Sequence, residues 1–175
     1  MQDALTTCAG RQSSMASIWR TEDHYFQSGF ELLELIIVLA IIAVLGFIAI
    51  PSYINYRNQA DIATAEADIN TIEQAIGKYY QENNSYPDIL GEVKMGGLLD
   101  PWRHPYQYLR IAGAKLKGNG ALRKDKNQMQ INTDYDLYSM GKDGASVSPL
   151  TANISRDDVV RAYNGKYIGL AADLL

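Results

Sequence analysis

The residues best suited to chemistry are carboxylates in the last third of the chain: Asp134, Asp136, Asp143, Asp157 and Asp158, with Ser139 among them. Clustered oxygen donors suit calcium, which takes about six to eight oxygen ligands and often mixes carboxylates with backbone carbonyls. Asp143 and at least one of Asp157 and Asp158 are the expected ligands. Backbone carbonyls near Leu137 or Ser139 would complete the shell, and the ion would order the irregular stretch from Asp143-Gly144 to Arg156. A plainer alternative makes Asp143-Gly144 a turn and Asp157-Asp158 the cap of a helix starting near Val159. Other chemistries find little material. His24 and His104 are the two histidines, and Cys8 is the single thiol. A histidine metal site, a catalytic triad or a cysteine-ligated zinc has almost nothing to draw on. No spacing isolates an acid/base pair of carboxylates.

One more carboxylate stands out by its surroundings. Glu34 interrupts the apolar run Leu32–Ile50 near its start. An ionised carboxylate inside a bilayer is costly and points to a function. The run itself is nineteen residues, and at about 1.5 Å per residue it reaches roughly 28 Å, close to the ~30 Å hydrocarbon core. A membrane span is expected. A cleavable secretory signal would want a basic start, a shorter apolar core and a small-x-small cleavage site. Here Glu22, Asp23, Glu31 and Glu34 surround the beginning of the run and Ile50-Pro51-Ser52-Tyr53 ends it.

The remaining composition is that of an ordinary folded domain, 47% hydrophobic and 21% charged with a net charge of −4. Its few basic residues are scattered, so nucleic acid is not an expected partner. Past the span, Ile62, Ala65, Ile69, Ile72, Ile76 and Tyr79 recur at gaps of three and four. This is an amphipathic helical stripe for packing on a domain, with Asp61, Asp68, Glu73 and Lys78 on other faces. Pro51 lies between span and stripe and is expected to kink or loosen the helix. A helix from Phe30 to about Gln81 would extend roughly 75–80 Å and project far beyond a head of the remaining residues. Such a helix needs a partner. From residue 84 on, Gly, Pro, Asn, Asp and Tyr dominate. Tyr106–Ile111 and Asp134–Met140 read as strands, Tyr167–Leu170 as a short final one, and Trp102 as an anchor packing the sheet on the helix stripe.

These residues together resemble a known family. Gly29-Phe30-Glu31-Leu32-Leu33-Glu34, the apolar run and Pro51 are similar to the N-terminal signal of type IV pilins and type II secretion pseudopilins. Leu99-Asp100-Pro101-Trp102-Arg103-His104-Pro105-Tyr106-Gln107-Tyr108 resembles the "DPWGNPYQY" segment of major pseudopilins. Tyr135-Asp136-Leu137-Tyr138-Ser139-Met140-Gly141-Lys142-Asp143-Gly144 resembles their "YDLYSxGxDG" segment. Some positions depart from the pattern. Gln27-Ser28 stand where basic residues are usual and Glu31 where Thr is common. Ser148–Thr151 and Ser155–Ala162 replace the Gly-rich calcium loop.

The resemblance implies an α+β, pilin-like fold: a long N-terminal helix, membrane-spanning in its first half, packed on a small antiparallel sheet. It divides the chain into a leader at 1–29, a transmembrane and assembly half of the helix at 30–53, and a periplasmic or extracellular head at 54–175. Met15 is an alternative start. A prepilin peptidase would cut between Gly29 and Phe30, and Phe30 would be N-methylated. Glu34 would face the N-terminal amine of a neighbouring subunit, since buried charges persist only when partnered. The implied role is a structural subunit of a type II secretion pseudopilus, closest to the major, G-type pseudopilin. It would polymerise with identical subunits into a helical filament and meet minor pseudopilins and an inner-membrane assembly platform. A type IV pilus pilin is the alternative, less favoured because many of those close their C-terminal region with a disulfide. A signal-anchored enzyme or binding domain is a distant rival, predicting a polar pocket and no need for Gly29.

Overall fold

The computed structural model describes residues 31–115 and 122–174. The first helix, α1, runs over Leu32–Asn83 without a break. The chain divides after Ala43, so α1 contributes to two units. In the first, its described residues are exposed, Leu32 through Ala43 alike. In the second, from Val44 onward, exposure persists through Ile50 except at the half-buried Gly46, and full burial begins with the predicted stripe. Ala65, Ile69, Ile72 and Ile76 are fully buried, with Ile62 packed against them at partial exposure.

Proline does not end α1. Pro51 lacks the N–H that would reach the Phe47 carbonyl, yet the helix continues on both sides. One residue along, the Ser52 hydroxyl donates to the Ile48 carbonyl at 3.0 Å, drawing a helix carbonyl toward a side chain beside the proline.

The head is a four-stranded antiparallel sheet in the order β1-β2-β3-β4, with β1 Gln107–Arg110, β2 Tyr135–Ser139, β3 Val159–Ala162 and β4 Tyr167–Leu170. Tyr108 pairs with Leu137, Ser139 with Val159 and Val160 with Gly169. Alternation along β2 and β3 gives the sheet two buried faces. Tyr135, Leu137 and Val159 meet the α1 stripe together with Leu90 and Tyr106. Val160 and Ala162 turn the other way, onto Ile131, Leu150 and Ala171. Full burial of each large aliphatic side chain is worth about 1.5–3 kcal/mol, so the three isoleucines of the stripe are the main apolar tie between helix and sheet. Trp102 packs at the border of the same cluster, partly buried, as expected of an anchor.

One expectation fails. No helix starts near Val159. That stretch is β3, buried at all four positions and paired on both sides. Two adjacent β-branched residues favour a strand where two neighbours offer ladders. A short helix, α2, follows only at Ala171–Leu174.

Candidate functional site

Gly29 and Phe30 lie outside the described residues. Glu34 sits in the first turn of α1, where its amide donates to the Glu31 carbonyl at 3.0 Å. Its side chain is exposed among exposed apolar neighbours. Among the described residues the Glu34 carboxylate has neither a hydrogen bond nor an ion pair. α1 is long and apolar enough to cross a membrane, and among the described residues nothing covers its Leu32–Ile50 part. A Glu34 carboxylate taken out of water would need a positive partner.

The head motifs form a second unit, built around Asp100. A residue before proline is extended, so Asp100 enters a turn whose amides point back at its own carboxylate. Its Oδ1 accepts from the Trp102 amide at 3.1 Å and from the His104 amide at 2.7 Å. Its Oδ2 accepts from the Ser139 hydroxyl at 2.5 Å, and Ser139 Oγ accepts in turn from the Gly141 amide at 3.1 Å. His104 Nδ1 lies 3.1 Å from the Gly141 carbonyl, an arrangement that requires the Nδ1–H tautomer. Gly144 has φ +67°, and a Cβ there would sit 2.6 Å from His104 Nε2, so the glycine admits the histidine ring. Gly141, at φ +64°, admits the Asp157 backbone in the same way.

The acidic loop uses its oxygens on protein donors. Asp157 Oδ2 accepts the amides of Lys142 at 3.0 Å and Asp143 at 3.2 Å. Asp143 Oδ1 accepts the Ala145 amide at 2.9 Å. Asp158 is fully buried, and its Oδ2 accepts from the Ser146 hydroxyl. The backbone at Leu137 and Ser139, whose carbonyls were the expected further ligands, lies in β2, paired with Tyr108 and Val159, and the Ser139 hydroxyl is held by Asp100. Among the described residues no group of three or more His, Cys, Asp or Glu side chains is arranged to hold a metal ion. Asp143, Asp157 and Asp158 each place one carboxylate oxygen on a protein donor, and Asp158 Oδ1 has no partner among the described residues. Burial pushes the Asp158 carboxyl up to about 7, against the pull of the Ser146 hydroxyl and the Arg123 guanidinium. Burial also raises Asp136, opposed by its bonds from the Arg123 amide and Asn132.

Two arginines escaped the sequence reading. Arg161, 3% exposed, donates through Nε to Glu73 at 2.8 Å and through Nη2 to Asp134 at 2.7 Å, and its guanidinium lies 4.0 Å over the Tyr135 ring. Burial works against its charge, but Asp134, Tyr135 and Glu73 outweigh that and raise it further. Arg123, 5% exposed, donates to the Val147 carbonyl and the Tyr138 hydroxyl. Helix carboxylates expected on outward faces are likewise engaged: Glu73 with Arg161, and Asp68 with the Tyr106 hydroxyl at 2.9 Å. An arginine inside the apolar run Val159–Ala162 was the one local signal, since a charge there must find a partner.

No family model matches this chain, and no solved structure does. Named relatives do. The chain is 30% identical over 139 residues to the type II secretion system core protein G of Pseudomonas aeruginosa, covering 67% of this chain and 85% of that protein. It is 31% identical over 124 residues to the protein of the same name from Escherichia coli, covering 67% and 83%. It is 28% identical over 145 residues to the type IV major pilin protein PilE1 of Neisseria gonorrhoeae, covering 69% and 88%. The long α1, the four-stranded sheet and these relatives agree: the chain belongs to the type II secretion core protein G family of pseudopilins, near kin of the type IV pilins.

Proposed function

We propose that this chain is the repeating subunit of a type II secretion pseudopilus. The observation that carries the reading is the match to core protein G along most of both chains. The apolar half of α1, uncovered among the described residues and carrying a Glu34 without a partner there, supports it. Residues 1–29 act as a leader, and a prepilin peptidase cuts between Gly29 and Phe30 and methylates the new N-terminus. The subunit waits in the inner membrane on the span 30–53, with residues 54–175 as a periplasmic head. On assembly the apolar half of α1 leaves lipid for the filament core, where Glu34 meets the amine of a neighbour's Phe30. The Pro51 region lets α1 adjust in the bundle. Identical subunits, minor pseudopilins and an inner-membrane assembly platform are its partners, and its role is mechanical, not catalytic.

Kinship with PilE1 favours a second reading, a type IV pilus pilin at the cell surface. Expression in a secretion-competent host lacking its own core protein G separates the two. Restored export of the host's secreted enzymes supports the pseudopilus. Surface filaments without restored export support the pilus. Processed protein that yields neither overturns both.

A further inference from the structure

We propose that the 141–158 loop of this head is held by the resident guanidinium of Arg123 in place of a divalent cation, so that the head folds without calcium. Residues 122–124 run beside 148–150: the Lys124 amide donates to the Ser148 carbonyl at 3.1 Å, the Leu150 amide to the Lys124 carbonyl at 3.0 Å, and the Ser148 hydroxyl to the Leu122 carbonyl at 2.5 Å. This pairing places Arg123 beneath the loop, and its own amide is fastened to Asp136 Oδ2 at 2.8 Å.

From there the guanidinium does what a bound cation would do. It takes a loop carbonyl, that of Val147, which also accepts from Ser155 Oγ at 3.0 Å. It ties that carbonyl to the sheet through the Tyr138 hydroxyl and lies 3.8 Å over the Tyr138 ring. Its charge favours the ionised form of Asp158, which is fully buried. Among the described residues the unpartnered buried side-chain atoms are Arg123 Nε and Asp158 Oδ1, one donor and one acceptor. A calcium ion would satisfy the carboxylate oxygen, but it would repel the guanidinium and leave its donor unmet. Arginine stays protonated at any pH the protein meets, so this tie needs no ion from outside.

The test uses the full chain in detergent, with thermal unfolding followed in excess EGTA and in millimolar calcium. The two wild-type curves should superimpose. Arg123→Met should lower Tm by about 5 °C or more in both media. Trypsin should then cut at the exposed Lys142 and Arg156 with the rest of the head still protected. Should Arg123→Met fail to fold, Tyr138→Phe keeps the ring and removes only the hydroxyl acceptor. Its Tm should fall by a smaller amount, again without a calcium response. A wild-type Tm that falls in EGTA and recovers with calcium overturns the inference. So does an Arg123→Met protein with unchanged Tm and unchanged tryptic pattern.

Discussion

Asp100 Oδ2 accepts the Ser139 hydroxyl at 2.5 Å, joining residues 39 positions apart and fastening the proline-flanked turn to the end of β2. The same carboxylate caps the amides of Trp102 and His104. Asp100→Ala should therefore leave two amides and one hydroxyl without their acceptor and destabilise the head by about 3 kcal/mol, against about 1–2 kcal/mol for Ser139→Ala. A double-mutant cycle by thermal unfolding should return a coupling of about 1 kcal/mol or more. Additive losses would show that the two motifs do not depend on each other.

Arg161 binds the helix to the sheet from the polar side. Its loss strands Glu73 and Asp134 beside a buried gap and removes the contact over Tyr135. Arg161→Met should cost about 3–5 kcal/mol, the range for breaking a buried pair by removing one partner. Hydrogen exchange should show the loss first where α1 meets β2 and β3.

The raised carboxyl of Asp158 gives stability a direction in pH. The folded head holds this proton up to about 7, well above the ordinary 3.8. The favourable contribution is thus complete below about pH 4 and disappears as pH climbs through the folded value. Asp158→Asn stays neutral throughout. Its Tm advantage over wild type should grow between about pH 4 and pH 7 and then level off. A difference flat across that window would place the carboxylate in a far more polar setting.

Arg103 adopts φ +76° at an exposed turn position. The matching position of the pseudopilin motif carries glycine, which takes that conformation without a Cβ penalty. Arg103→Gly should stabilise the head by about 0.5–1 kcal/mol, the relief of the left-handed backbone outweighing the added freedom of the unfolded chain. A loss of stability would mean that the arginine side chain contributes more than its backbone costs.

Processing and assembly should separate at Glu34. Cleavage after Gly29 leaves 146 residues (175 − 29), and intact mass of the membrane fraction should show that chain beginning at a methylated Phe30. Glu34→Ala removes a charge from the span, so insertion and cleavage should persist while the yield of sheared filaments collapses. Filaments at wild-type yield from this variant would remove the pairing role.

Much of this protein was legible from residue order, for reasons that are local. A helix repeats every 3.6 residues, so Ile62, Ala65, Ile69, Ile72 and Ile76 declared the buried face of α1 before any partner was known. The uncharged run after Glu34 announced a membrane span by length and composition alone. Alternating aromatic and branched residues marked β1 and β2, and the short run Tyr167–Leu170 suggested β4. The tertiary structure decided what depends on residues distant in sequence. Asp157 and Asp158 look like a helix cap, and only a ladder on each side makes Val159–Ala162 the central strand β3. Arg161 finds Glu73 across 88 positions and Arg123 finds Val147 across 24. The loop carboxylates, plausible calcium ligands by type, became acceptors for amides and hydroxyls that chain reversal brought beside them. A side chain's type states which bonds it can make, and the packed backbone selects the partner, because burial leaves a polar atom only the neighbours within about 3 Å.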